Sequence, residues 1–476
     1  MRITHFKWGG AGMLLDKLKK YSESGALPMH MPGHKRNTDA FPWLAELGGG
    51  IDITEIDGFD DLNDPQELFF ELERRVSRLW GSKESICLVN GSTSGVLAAV
   101  RAALERGGEL LLFRGSHRSV YHASEIVGCV THYLTPRIES DFGVWGSITA
   151  DEVEAALAAH PAVRLVAITS PTYEGVISDV RAIADVCHAH GVPFFVDEAH
   201  GAHLGFGDFP ESAVHSGADL VVASLHKTLP SLTQTAVLHI NGDIVDAKDV
   251  RRNAAMFQSS SPSYLLSASI DGCVDYLERE GDVAADRWLS AVRKFDESVH
   301  DLENLRILRG GENIFAFDPS KIVISAAGTD IDGAGLMAIF REKFNIELEM
   351  AYGDYVVAMT GMGDTAATLM RLADAVHAID SMCRKIGKST AVHAFSLPER
   401  RMNIRDAVTA AGEFFDLAAA VGRVSGEYVW VYPPGAPILA PGEVIDENIA
   451  RAIGTCAKLH STRGCAPDKI FCVGEY

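Results

Sequence analysis

Between Ser85 and Ile240 the chain repeats one pattern: a short apolar run, a turn of small or polar residues, then a stretch with helical spacing. Apolar runs at Ser85–Val89, Glu109–Phe113, Thr131–Leu134, Val163–Thr169, Val192–Val196, Asp219–Ser224 and Thr235–Ile240 read as strands. Helical stretches at Val96–Leu104, Tyr121–Val127, Thr149–Ala159 and Asp179–His190 separate most of them, and Thr149 with Glu152 forms a capping pattern. Parallel strands need crossovers of this kind. The pattern therefore predicts an α/β fold with a mainly parallel sheet covered on both faces. Such sheets bind ligands at the carboxyl ends of their strands, which directs attention to the residues just after each run.

The flanking regions have a different texture. The first 65 residues are loop-rich, with Met31-Pro-Gly-His-Lys35 and the acidic stretch Asp57-Gly-Phe-Asp-Asp-Leu-Asn-Asp-Pro65. From Glu67 the spacing of Leu68, Leu72, Val76 and Leu79 is helical. A polar break at Gln258-Ser-Ser-Ser-Pro262 precedes helical patterns over Tyr264–Glu278 and Arg287–Glu303, then mixed segments to about Gly387. The expected division is an N-terminal arm (1–65), a large domain (66–285), a smaller α/β domain (286–387) and a C-terminal domain (388–476). A formal charge of −21 disfavours a nucleic-acid surface. No run reaches the ~18–20 apolar residues of a membrane span, and Met1–Lys20 lacks the apolar core of a signal peptide. Eight scattered cysteines without a C-x-x-C pair point to a reducing compartment, and so to a cytoplasmic protein with neither disulfide framework nor metal site.

Three strand ends carry the chemistry. Asn90-Gly-Ser-Thr-Ser-Gly95 follows a strand and opens a helix, so small residues and hydroxyls meet a helix N-terminus, as an anion requires. Val192-Pro-Phe-Phe-Val-Asp-Glu-Ala-His-Gly201 ends a buried strand on Asp197, an acid that needs a cation or donors there. Asp219-Leu-Val-Val-Ala-Ser-Leu-His-Lys-Thr228 ends another on Ser224, His226 and Lys227. Each alone has an ordinary explanation: a capped turn, a loop-holding acid, a solvated lysine. Together they describe a site for pyridoxal 5′-phosphate. Lys227 would bond covalently to the cofactor aldehyde, and Asp197 would keep the pyridinium nitrogen protonated. Ser92, Thr93, Ser94, Ser224 and His226 would hold the phosphate, and His117, within Arg114-Gly-Ser-His-Arg-Ser119, would stack on the ring.

With these motifs in view the chain resembles the pyridoxal-phosphate-dependent ornithine/lysine/arginine decarboxylases, in their short form. The resemblance runs along nearly the whole chain, through Met31–His34, Asp60–Leu62, Gly91–Gly95, Ser116–Ser119 and Pro171-Thr-Tyr-Glu-Gly175. It continues through Asp197–Gly201, Ser224–Lys227, Gln258–Pro262, Gly363–Thr365, Tyr432-Pro-Pro-Gly-Ala-Pro437 and Pro441-Gly-Glu443. The last two are the most specific, since general aminotransferases lack them. The break Ser259-Ser-Ser261 departs from the threonine more usual there, and the acidic loop Gly58–Pro65 differs in detail. The resemblance implies fold type I: a large cofactor domain, a smaller α/β domain, a C-terminal domain, and active sites at a homodimer interface. It also implies that Ala199 and His200 lie beside the cofactor and that Thr172 and Tyr173 line the site.

The expected reaction is α-decarboxylation of a basic L-amino acid, arginine or lysine ahead of ornithine. Either Lys227 or His226 would return a proton to Cα. A distal ammonium or guanidinium needs a carboxylate, with Asp60, Asp61, Asp64 and Glu443 as candidates. Two alternatives stand beside it. An aminotransferase or other lyase on the same fold would need an arginine for the α-carboxylate, such as Arg341 or Arg371. A non-catalytic regulatory relative would have no need of Lys227, Asp197 and His117 together.

Overall fold

The computed structural model describes residues 14–387, 397–431, 435–455, 459–461 and 469–474. Its centre is a seven-stranded sheet: β1 (Glu84–Leu88), β2 (Glu109–Phe113), β3 (Val130–Leu134), β4 (Val163–Thr169), β5 (Phe194–Asp197), β6 (Leu220–Ala223) and β7 (Ala236–Ile240). Their spatial order is β1-β7-β6-β5-β4-β2-β3. Every pairing from β3 to β6 is parallel, while β7 runs antiparallel to both of its neighbours. The six remaining strands therefore end on the same edge.

Strands buried on both faces explain the unbroken apolar runs. One face packs Val96, Ala99, Val100, Val120 and Tyr121 from the helices α1 (Gly91–Ala103) and α2 (Arg118–Val127). The other packs Val153, Leu157, Ile183 and Cys187 from α3 (Ala150–Ala159) and α4 (Val180–Ala189). α3 carries the Thr149/Glu152 capping box that the sequence predicts. The helix expected from Val96 already begins at Gly91, so 91–95 is the first turn of α1. Gly95 makes its close seating possible, because a Cβ there would lie 2.6 Å from Leu88 Cδ1 and 2.8 Å from Val222 Cγ2.

The two helical patterns after the polar break form one helix, α5 (Tyr264–Ser298), of 35 residues. It runs uninterrupted past position 285, where the division between large and small domains was expected. The polar segment Arg279-Glu-Gly-Asp282 that separates the patterns lies within it, and Gly281 there abuts the Phe206 ring. α5 packs against Leu68–Trp80 and Ala366–Asp380. Beyond it lies an antiparallel sheet of Arg306–Ile307, Lys321–Ser325, Tyr355–Met359 and Met350–Tyr352, covered by Gly333–Phe344. The C-terminal region has its own small core, with Leu439, Ile445, Ile449 and Ile470. Its Tyr428 and Trp430, stacked at 4.4 Å, join the core around α1 and α2. The motif residues Tyr432–Pro434 and the cysteines Cys456 and Cys465 lie outside the described residues. Among the described residues, no helix is long and apolar enough to cross a membrane.

Candidate active site

The shared strand edge opens onto a cavity of about 270 Å³. Ser92, His117, Thr172, Tyr173, Asp197, Ala199, His200 and Lys227 all line it, although they come from five different strand ends. Lys227 sits in the short helix Leu225–Thr228 directly after β6, and Asp197 is the last residue of β5, the neighbouring strand.

Burial dominates the electrostatics. Asp197 is buried and accepts the Ala199 N–H at 3.2 Å. Burial raises its carboxyl pKa, with the Lys227 charge opposing the rise. The same desolvation lowers the pKa of the Lys227 amine. Its Nζ lies 2.9 Å from His200 Nε2, and burial together with the lysine charge holds that imidazole far below its usual pKa. His117 caps α2, its Nδ1 accepting the Ser119 N–H at 3.3 Å. Burial, then the nearby Lys227 charge, lowers its pKa to about 3, so the ring is neutral. The Thr172 hydroxyl accepts the Val176 N–H at 3.2 Å and fixes the loop that presents Tyr173.

The other expected residues sit further back. Ser94 donates to the Gly91 carbonyl at 2.8 Å, inside the first turn of α1, which also holds Thr93. His226 points Nδ1 at the Thr235 carbonyl, 2.9 Å away. Ser224 is wholly buried just before the Lys227 helix, and its hydroxyl has no partner among the described residues. Asp60 accepts N–H groups from Gln66, Glu67 and Phe69, Asp61 accepts the Asn63 N–H, and Asp64 accepts the Gln66 side-chain amide. None of the three acids is among the residues that line the cavity. Nor is Glu443: its carboxylate takes a bidentate pair from Arg114 (2.7 and 3.0 Å) and the Ala440 N–H (2.7 Å).

Several lining residues were not among the site candidates that the sequence offered. Glu349 accepts the Tyr173 hydroxyl, and Glu174 accepts the Tyr355 hydroxyl at 2.8 Å. Among the described residues Arg114 is the one arginine at the cavity, and its charge is answered by Glu443. Arg341 is paired with Glu347, and Arg371 donates to the carbonyls of Phe344 and Asn345; neither lines the cavity.

Residues 13–322 match the family model of the Orn/Lys/Arg decarboxylase major domain, and residues 389–459 match the C-terminal domain of the same family. The chain belongs to the Orn/Lys/Arg decarboxylase family. An arginine decarboxylase of Bacillus subtilis is 31% identical over 453 residues, covering 92% of each chain. The constitutive lysine decarboxylase of Escherichia coli is 24% identical over 493 residues, covering 84% of this chain and 68% of its own. The crystal structure of the Francisella novicida lysine decarboxylase LdcF superposes with a TM-score of 0.82 at 20% identity, covering 97% of this chain and 80% of the other. The architecture is thus fold type I, and the family's reaction is amino-acid decarboxylation. In this chain Glu443 and the Ile438 carbonyl tie the second family domain to Arg114, at a cavity-lining strand end.

Proposed function

We propose that the chain decarboxylates a basic L-amino acid, arginine foremost, with pyridoxal 5′-phosphate held by Lys227. The observation that carries this reading is the convergence of Lys227, Asp197 and His117 on one cavity whose lining arginine is already neutralised. The residues suit the cofactor. Ser224 offers a buried hydroxyl without a partner among the described residues, in the segment of Lys227, as a phosphate oxygen would require, and buried Asp197 needs a cation such as a pyridinium. Bound there, the cofactor supplies an aldehyde for an amine and a ring that accepts the electron pair left when CO2 departs.

The chain's own groups do the rest. Desolvation favours the neutral, nucleophilic form of the Lys227 amine. His117, neutral and fixed by its cap, offers a flat apolar surface to a ring. His200 stands at hydrogen-bond distance from Lys227 Nζ, where it can pass or hold a proton. Lys227 and His226 remain the candidates for returning a proton to Cα. Without a free arginine to grip the α-carboxylate, among the described residues, that group is left to leave rather than be retained as in a transaminase.

Arginine stands first because the arginine decarboxylases of Bacillus subtilis and Bacillus anthracis match at 31% and 29% identity over almost the whole chain. Glu349 is the cavity carboxylate we assign to the distal cation. Leu27, Met29, Met31, Trp43 and Leu47 form an exposed apolar arm that a second copy would cover, which supports a homodimer. The test incubates the protein with arginine, lysine and ornithine, with and without a keto acid. Amine and CO2 formed without an acceptor support the reading, and keto-acid-dependent transamination rejects it.

A further inference from the structure

Behind the cavity lies a second lysine. Lys321 opens a strand of the antiparallel sheet and is wholly buried, as is Asp318. A buried ammonium is costly unless each proton finds an acceptor. Here all three do: Nζ donates to Asp318 Oδ2 at 2.8 Å, Ser320 Oγ at 2.9 Å and the His200 carbonyl at 3.1 Å. Asp318 is gripped from its other side by the Ser320 N–H at 2.9 Å and His203 Nε2 at 3.1 Å. An ionised carboxylate only accepts, so His203 donates through Nε2. Phe209 and Trp288 wall in the His203 ring at 4.7 and 4.8 Å. Gly175, with φ +100°, lets the loop carrying Tyr173 approach, since a Cβ there would lie 2.9 Å from Lys321 Cβ.

His200 connects this network to the chemistry. Its carbonyl receives Lys321, and its ring nitrogen lies 2.9 Å from Lys227 Nζ. We infer that Lys321 is a positioning residue for Lys227: it fixes the His200 main chain, whose ring meets Lys227 Nζ, and holds a second ammonium behind the cavity that disfavours a further positive charge on Lys227. This rests on the proposed role of Lys227 as the cofactor-binding amine, which needs a free electron pair to add to an aldehyde. The charged and titratable groups around Lys227 are Asp197, Glu349, His117, His200, His226 and Lys321. Asp197 and Glu349 favour the ammonium, while burial keeps His117 and His200 neutral. Lys321, ion-paired to Asp318 at 2.8 Å, is the cation that opposes the two acids. Its effect on Lys227 has the same sign as the larger effect of burial.

The test compares wild type, Lys321→Met, Lys321→Arg and the double variant Asp318→Asn/Lys321→Met, each loaded with pyridoxal phosphate and given no substrate. The double variant removes both buried charges and so covers a failure of Lys321→Met to fold. Visible absorbance is followed across pH. Lys321→Met is expected to raise the transition midpoint by about one pH unit. The double variant should move it by less in the same direction, and Lys321→Arg should restore it. In the cofactor-free proteins, labelling of Lys227 by an amine-directed reagent at neutral pH should fall several-fold on the loss of Lys321, read by peptide mass. Lowered melting temperatures with an unmoved midpoint would mean a purely structural lysine and overturn the inference. A wild type that takes up no cofactor overturns the proposed function and this inference together; a coloured wild type with unshifted variants overturns only the inference.

Discussion

Replacing Glu443 with glutamine tests how the C-terminal region is fastened to the catalytic face. The carboxylate is 1% exposed and its partner Arg114 is 7% exposed. Three N–H donors converge on it, two from Arg114 and one from Ala440. Glutamine keeps the shape but turns an N–H toward a guanidinium and removes the counter-charge, leaving a buried cation. Breaking one side of such a pair costs about 3–5 kcal/mol. That predicts amide hydrogen exchange on the order of 10²–10⁴-fold faster at Ile438–Val444, read by mass spectrometry at fixed pH. The double change Arg114→Met/Glu443→Leu removes both charges and fills the space, so it should be better protected than Glu443→Gln despite the lost Ala440 acceptor. Exchange at the wild-type rate in Glu443→Gln, or equal rates in the single and double variants, would refute the argument that charge neutralisation holds this junction.

Other perturbations separate cofactor binding from folding. Ser224→Ala should weaken pyridoxal phosphate binding about tenfold while leaving the cofactor-free protein as stable or slightly more so, because the hydroxyl is buried without a partner; equilibrium dialysis and thermal melts give the two numbers. Glu349→Gln should raise KM for arginine about tenfold with a smaller change in kcat, and a kcat-only effect would remove it from the substrate site. Glu73, buried beside Arg251, is raised by desolvation from 4.5 to about 7. The folded form thus holds a proton that the unfolded chain releases above about 4.5. Its stabilising contribution is present in full at low pH and is lost as pH rises through about 7, a change of about 3 kcal/mol. Denaturation of wild type and Glu73→Gln across that window should show a steeper fall for wild type. Sedimentation should give a dimer that Met29→Asp/Trp43→Asp shifts toward monomer.

The sheet was readable because its inner strands are buried on both sides and carry nearly unbroken apolar runs, as in Phe194–Asp197 and Leu220–Ala223. Direction was not readable: the run Thr235–Ile240 looks like the others, yet β7 is antiparallel because it closes back beside β1. The same holds for the smaller sheet, where the expected mixture of strands and helices did not reveal antiparallel pairing. In α5 the polar residues 279–282 masked a continuous helix, whose Gly281 serves contact with Phe206 rather than termination. At the cavity, Lys227, Asp197 and His117 stood out because each closes a local motif. Arg114 and Glu443 meet across 329 positions, and Lys321 reads as any lysine at a strand start. Partnerships of that separation depend on the tertiary fold and leave no periodicity behind.

The helix Tyr264–Ser298 is one rod of about 52 Å. It leans on the catalytic half through Leu68–Trp80 and on the smaller half through Ala366–Asp380. Seated against both, it ties their positions to one another, and a glycine pair engineered at its midpoint would weaken that tie without touching the cavity.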